Sequence, residues 1–425
     1  MKPSDSEISR ESPEPGRHPD RVESIARYVN GPYVQFLRRL GLDFEVVRAE
    51  GASVFDSAGR RFIDCVAGYG NLNIGHNHPY VIEAVVAELR SPRPFNLPFL
   101  SDSQARLAAM LAEVTPGDLE CSFIVNSGSE AVDSALKLAR LATGRRDIIT
   151  TRGAWHGFTF GAMSVSERSM LRSFEPLVPG VTAVPYGDAA AVEAAITDQT
   201  AAVIVEPIQS ESGAIVPPDG YLRQLCELCR SRNVVLIFDE VKCGLGKAGT
   251  LWACNREDAV PDILLAGKSL GGGAMPIGTL TARRKLWGRF GFSFPMSSSS
   301  GAGNAPACAA AVATLEVIER ERLPEKALRS GARIVRTLQQ LAADHPGIVH
   351  GFSGAGLLLA LHADGPKAST AIVQGCAQRG VLVMAAFCDR NRILIEPPLS
   401  ISDEEVDIVL NAVAETVQQL ATAAR

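Results

Sequence analysis

NVVLIFDEVKCGLGKAG, residues 233 to 249, runs five strongly apolar residues, Val234 to Phe238, straight into two acids, Asp239 and Glu240. An apolar run without alternation reads as a strand buried on both faces, the kind found in parallel sheets covered by helices. Acids are rarely buried without a partner, so this strand end calls for something that needs negative charge. The same segment holds GLGKAG (244–249), which has the glycine spacing of a dinucleotide-binding turn. That turn has to follow its strand at once and open a helix. Here five residues intervene, two of them acidic, and carboxylates would repel a pyrophosphate. The nicotinamide dehydrogenase reading is set aside.

On either side of this strand, short apolar runs alternate with helical patterns. SFIV (122–125), DIIT (147–150), AAVIVE (201–206), DILLA (262–266) and IGTLTA (277–282) read as further strands. EAVDSALKLARLA (130–142) and GYLRQLCELCRSR (220–232) read as amphipathic helices. Alternation of this kind implies an α/β fold with a mostly parallel sheet, in which ligands bind at the carboxyl ends of the strands. Asp239 lies at such an end.

The flanks differ. Residues 45–66 alternate like a hairpin with SAG as the turn. The tail offers a helix over 323–344, strands in GLLLALHA and GVLVMAAF, and a helix over 403–420 opened by a Ser402-x-x-Glu405 capping box. The expected organisation is a disordered lead-in (1–20), an N-terminal segment (21–80), a large domain (81–325) and a smaller α+β domain (326–425) that the N-terminal segment joins.

The 425 residues carry a formal net charge of −5, against non-specific nucleic-acid binding. Nine scattered cysteines with no secretory signal read as thiols of a reducing compartment. Cys226 and Cys229 lie within a helical pattern and lack a second pair, so they read as core residues. The seven histidines form no ligand pattern, and no run of 18 apolar residues predicts a membrane span. A soluble cytoplasmic protein is expected.

A phosphate site is sought at VNSGSEAV (125–132), where a strand ends and Ser127, Gly128 and Ser129 open a long helix. Free N–H groups at a helix N-terminus, a glycine and hydroxyls suit a phosphate; a plain Ser127-x-x-Glu130 capping box fits equally well. GKS (267–269) resembles the end of a P-loop, but the first glycine of that motif would fall on Asp262. Lys268 follows the apolar ILLAG and precedes SLGGG, so its ammonium is either paired or used. A carboxylate, a reactive lysine and a phosphate cradle in one α/β site are the set that pyridoxal phosphate requires.

At this point the chain resembles the class III pyridoxal-phosphate aminotransferases of the ornithine and 4-aminobutyrate type, over nearly everything past residue 45. Its motif wording is most similar to the putrescine aminotransferase branch. The matching stretches include FIDCVAGYGNLNIGHNHP, NSGSEAVDSALKLAR, AWHGFTFGA, VIVEPIQSESGAIVPPDGYL, LIFDEVKCGLGKAG, PDILLAGKSLGGGAMPIG and EPPLSIS. The resemblance implies fold type I, a seven-stranded type of sheet and a homodimer with active sites at its interface. It makes Lys268 the Schiff-base lysine and proton shuttle, and Asp239 the partner of the pyridinium nitrogen. Val241 would pack behind the ring, Trp155 would stack on it beside His156, and Gly128 and Ser129 would hold the phosphate. Glu206 and Gln209 would line the cofactor. Ser300, with Ser299 beside it, takes the place of a threonine that reaches the neighbouring subunit's phosphate, and Tyr69 is carried as a substrate contact.

Three positions depart from the family pattern. Lys242 stands where a glutamine usually meets the cofactor's 3′ oxygen; it either favours the ionised phenolate or turns to solvent. Leu394 stands where many relatives place an arginine that clamps an α-carboxylate. Glu211, which pairs with that arginine in the family, loses its expected partner. Arg392 points to the same strand face as Leu394, about 7 Å away, and could stand in; otherwise Leu394 only packs. The expected reaction is transfer of an amino group from an amine or amino-acid donor to an aldehyde or keto acceptor. A substrate lacking an α-carboxylate, a diamine or a specialised metabolite, fits the altered site, with Glu211 free to meet a distal ammonium. The alternative is a racemase or aminomutase of the same fold.

Overall fold

The computed structural model describes residues 21–94, 101–287 and 299–423; the lead-in expected to be disordered and Ser297 and Ser298 lie outside these. Near the N-terminus, β1 (Val46–Glu50), β2 (Ser53–Asp56) and β3 (Arg61–Asp64) form an antiparallel meander, with the SAG turn between β2 and β3. The sheet that positions the site contains β4 (Leu119–Val125), β5 (Asp147–Thr151), β6 (Val181–Val184), β7 (Thr200–Val205), β8 (Val235–Asp239), β9 (Ile263–Gly267) and β10 (Gly278–Arg283). Its order is β4-β10-β9-β8-β7-β5-β6. The run from β9 to β6 is parallel, and β10 lies antiparallel to both its neighbours. β7, β8 and β9 are buried at every position, as apolar runs without alternation require. The sequence reading missed β6, whose four residues VTAV are half exposed and too short to carry a periodic signal.

The C-terminal part adds β11 (Val349–Ala355), β12 (Leu358–Ala363), β13 (Val381–Leu382), β14 (Met384–Ala385) and β15 (Arg392–Ile395). GVLVMAAF, expected as one strand, divides: β13 pairs in parallel with β3, whereas β14 joins β15. The helix Leu323–Asp344 matches its expected bounds, and the last helix, Asp403–Ala423, opens on the Ser402–Glu405 capping box, with both reciprocal bonds present. Among the described residues no helix is long and apolar enough to cross a membrane, and no cluster of metal-ligating side chains occurs.

Candidate active site

The central sheet delivers its chemistry at one edge. Asp239 ends β8, Lys268 follows β9, Glu206 follows β7, Trp155 and His156 come four and five residues after β5, and Ser127 to Ser129 follow β4. Strand pairing places Asp239 opposite Leu265, three residues before Lys268. The resulting cavity, about 120 Å³, is lined by Gly128, Ser129, Trp155, His156, Gly157, Phe158, Glu206, Glu211, Asp239, Val241, Lys242 and Lys268. Concave sites at strand carboxyl ends are where α/β proteins bind cofactors.

Three lysines lie at or beside this cavity, Lys242 and Lys247 buried and Lys268 half-buried, and two are spent. Lys247 donates to the carbonyls of Glu396 and Pro397, 3.2 Å each, fixing the turn after β15. Lys242 Nζ lies 2.6 Å from Glu211 Oε1 and 3.2 Å from Glu396 Oε1. The first contact is a hydrogen bond, the second a charge contact outside hydrogen-bond alignment. Lys268 alone of the three has neither a hydrogen bond nor an ion pair among the described residues. Burial, with Lys242 nearby, pushes its amine below the usual lysine value, which favours the neutral, nucleophilic form. Its backbone adopts φ 46°, a left-handed conformation that non-glycine residues rarely hold outside sites that need it.

Asp239 is fixed from two sides. His156 Nδ1 lies 2.7 Å from its Oδ2, and the Val241 N–H donates to its Oδ1 at 3.0 Å. The far nitrogen of His156, Nε2, is buried without a hydrogen-bond partner. Glu206 accepts from the N–H groups of Trp155 (2.9 Å) and Ser210 (3.2 Å). Burial, joined by Asp239, pushes its carboxyl up to about 7 against the lowering pull of His156. A carboxyl that keeps its proton longer in the folded chain binds more protons there than in the unfolded chain. The protein without cofactor therefore loses stability as pH rises from the ordinary glutamate range to about 7. Glu206→Gln is expected to flatten that decline by up to about 3 kcal/mol. Denaturant unfolding of both proteins across pH 4.5 to 8 checks this, and equal slopes would assign the decline elsewhere.

The residues fit a phosphorylated aldehyde cofactor on three observations. The amine of Lys268 is unengaged. The helix Gly128–Thr143 opens at the cavity, where the Gly128 and Ser129 N–H groups lack intrahelical acceptors. Glycine is also required there: a Cβ on Gly128 would lie 2.8 Å from Val241 Cγ1, and one on Gly157 would overlap the Ser129 hydroxyl. The Ser127 hydroxyl, by contrast, caps the helix, accepting from the Glu130 N–H at 3.2 Å. Ser127 is thus the cap, and Gly128 and Ser129 line the cavity.

Several expectations are corrected. Lys242 does not turn to solvent, and Glu211 is not free. They are each other's partners, Lys242 Nζ lying 2.6 Å from Glu211 Oε1. Burial raises the Glu211 carboxyl, but Lys242 beside it wins and holds it below the usual range; its second oxygen accepts from the Phe387 N–H at 3.0 Å. Leu394 is buried in an apolar cluster with Ile208, Ala214, Cys243 and Ala360 and does not line the cavity. Arg392 does not line it either: its stem packs on Gly213 and its Nε reaches Asp389 at 3.2 Å. Gln209 is turned away, donating to the Thr151 hydroxyl and the Arg152 carbonyl. Ser299 and Ser300 are held by the Asn126 amide, beside a second cavity that shares Gly128 and Lys268 with the first. Tyr69 is 42% exposed, outside the lining. Trp155 lines the cavity and is braced edge-on by Phe158 and Phe387, with ring centroids 4.9 and 4.6 Å away.

Sequence reasoning missed Phe158, Phe387 and Glu396. Phe158 and Glu396 lie within quoted motifs, but only tertiary structure shows that Glu396 meets Lys242, 154 positions earlier in the chain.

The chain matches the family model for class-III aminotransferases over residues 39–417. Among solved structures it is similar to the ornithine aminotransferase of Toxoplasma gondii ME49, at 30% identity and TM-score 0.87, covering 95% of this chain and 96% of that one. It is also similar to an (S)-enantioselective omega-transaminase from Thermomicrobium roseum, at 28% identity and TM-score 0.86, covering 94% and 98%. A third is an amine transaminase from an uncultivated Pseudomonas species, in its PLP-bound form, at 27% identity and TM-score 0.81, covering 88% and 95%.

Proposed function

The chain belongs to the class-III aminotransferases, enzymes that use pyridoxal phosphate, and from that premise we propose that its amino donor is a primary amine or diamine lacking an α-carboxylate. The observation that carries this reading is the charge in the cavity wall. Besides Lys268, the lining holds one lysine and no arginine, and that lysine is tied to two carboxylates. A donor's α-carboxylate would find no unengaged cation beside Lys268 among the described residues, and burying an unpaired carboxylate is costly. The amine transaminase and omega-transaminase among the similar structures support the same substrate class.

Bound pyridoxal phosphate would supply an electron sink for the donor's carbanion. Lys268 Nζ would hold the cofactor's aldehyde carbon and, once released, carry the proton taken from the donor's carbon. Asp239, fixed by His156, would keep the ring nitrogen protonated. The Gly128 and Ser129 N–H groups would take the phosphate. Trp155 and Val241 would bracket the ring and exclude water. We place the enzyme in the cytoplasm as a homodimer, with Ser299 and Ser300 serving the neighbouring subunit's site. The role we assign is amine turnover in polyamine or specialised metabolism.

Steady-state kinetics test this. kcat/KM with butylamine or putrescine is expected to exceed that with L-glutamate by about tenfold or more, the scale of one unmet carboxylate. Preference for L-glutamate would contradict the substrate class. Deuterium exchange at the α-carbon without net carbonyl product would favour the racemase or aminomutase alternative.

A further inference from the structure

A separate cavity, about 420 Å³, opens at the other end of the central strands from Lys268. It takes in Val234 and Val235 at the start of β8, Asp262 just before β9 and Arg283 at the end of β10. Two thiols line it together, Cys226 half-buried and Cys229 fully buried. They lie three residues apart within the helix Tyr221–Arg232, so they share one face of it.

Both thiols are free. Burial pushes the Cys226 thiol up to about 11 and raises that of Cys229 as well, so neither is a ready nucleophile at neutral pH. Nor does the pair suit a disulfide. Cβ atoms three apart on a helix are about 5–6 Å from one another, whereas a disulfide draws them to about 3.5–4.5 Å. One atom inserted between the sulfurs removes the mismatch. Two metal–sulfur bonds of about 2.3 Å, set in line, hold the sulfurs about 4.6 Å apart, which suits this spacing.

The number of ligands selects the metal. Thiolates favour monovalent copper, zinc and iron–sulfur clusters. Zinc takes three or four protein ligands and clusters take four, but no group of three metal-ligating side chains occurs among the described residues. Asp262, the acid on this cavity, is already engaged by the Leu236 N–H at 3.1 Å and by Arg283 and Lys285. Monovalent copper is satisfied by two sulfurs in line. Its binding breaks two S–H bonds and forms two Cu–S bonds; two protons leave to solvent and no electron moves. The product carries one negative charge. Arg230, which has no ion pair among the described residues, lies close enough to Cys226 to favour its thiolate and offsets that charge.

We propose that Cys226 and Cys229 form a two-coordinate site for monovalent copper, apart from the catalytic cavity and independent of the substrate reading.

The test titrates the cofactor-loaded enzyme anaerobically with monovalent copper against bicinchoninate and examines the bound metal by X-ray absorption. One tightly held copper per chain with two sulfur neighbours is expected. In Cys226→Ser the hydroxyl can still donate to the Val260 carbonyl, as the thiol does at 3.4 Å. That variant should lower the copper affinity about 10²-fold or more, the gain a second ligand on one rigid helix supplies. Cys229→Ala should do the same, whereas Cys121→Ser, at a half-buried thiol on β4, should leave the affinity unchanged. Because the two-sulfur signature is read on the wild type, a folding defect in a variant does not decide the outcome. No copper retained by the wild type, a third or fourth ligand in its spectrum, or equal affinity in Cys226→Ser overturns the proposal.

Discussion

Replacing Lys268 with alanine is expected to lower amino transfer by about 10⁴-fold or more, the combined scale of losing a nucleophile and a proton carrier at one position. The expected effect on folding is small and of opposite sign. Lys268 is half-buried without a hydrogen bond or ion pair among the described residues, and its partial burial already disfavours its charged form. Removing it takes away a desolvation cost and breaks no hydrogen bond or ion pair among the described residues. Activity should therefore collapse while the unfolding midpoint holds or rises. The same substitution at Lys242 would behave differently, because it leaves Glu211 and Glu396 buried without their cation, which costs about 3–5 kcal/mol. Kinetics and denaturant unfolding on the Lys268→Ala protein check both halves. Substantial residual turnover, or a large loss of stability, would show that Lys268 is a structural cation.

Asp239→Asn is expected to cost about 10²- to 10³-fold in kcat. An opposite charge at hydrogen-bond range changes a titratable nitrogen's protonation constant by tenfold to thousandfold, and the neutral amide gives up that charge. The amide also disturbs the 2.7 Å contact with His156 Nδ1, since it offers either an acceptor or a donor where the carboxylate only accepts. Because Asp239 is buried at the carboxyl end of a fully buried strand, an isosteric change is needed to keep the packing. The loss should fall on kcat with donor and acceptor alike. Equal rates for Asp239→Asn and wild type would remove Asp239 from the cofactor's ring nitrogen.

How much was legible in sequence follows from the physics of each element. The buried strands were visible because a strand covered on both faces has to be apolar throughout, and VVLIF and ILLAG have no other reading at their lengths. Asp239 and Lys268 stood out because charge at the end of such a run is costly unless used. β6 was missed because half-exposed VTAV obeys no such constraint. The carboxylate site was read only in part for a different reason. The absence of arginine at Leu394 could be seen locally, but its compensation could not. Lys242, Glu211 and Glu396 come from three separate strand ends, and only the fold brings them within 2.6 to 3.2 Å. Leu394 itself became a core residue, packed with Cys243 and Ala360. Leu394 thus serves packing, and the cation that meets Glu211 comes from Lys242.

The account turns on which of the three lysines at or beside the cavity is chemically available, and this can be measured without any assumption about substrate. The protein would be loaded with pyridoxal phosphate, treated with borohydride to fix the cofactor to whichever amine carries it, digested, and mapped by mass spectrometry. The expected result is the phosphopyridoxyl mass on Lys268 alone, with Lys242 and Lys247 unmodified. Labelling of Lys242 or Lys247, or of no lysine in this set, would contradict the assignment of the site.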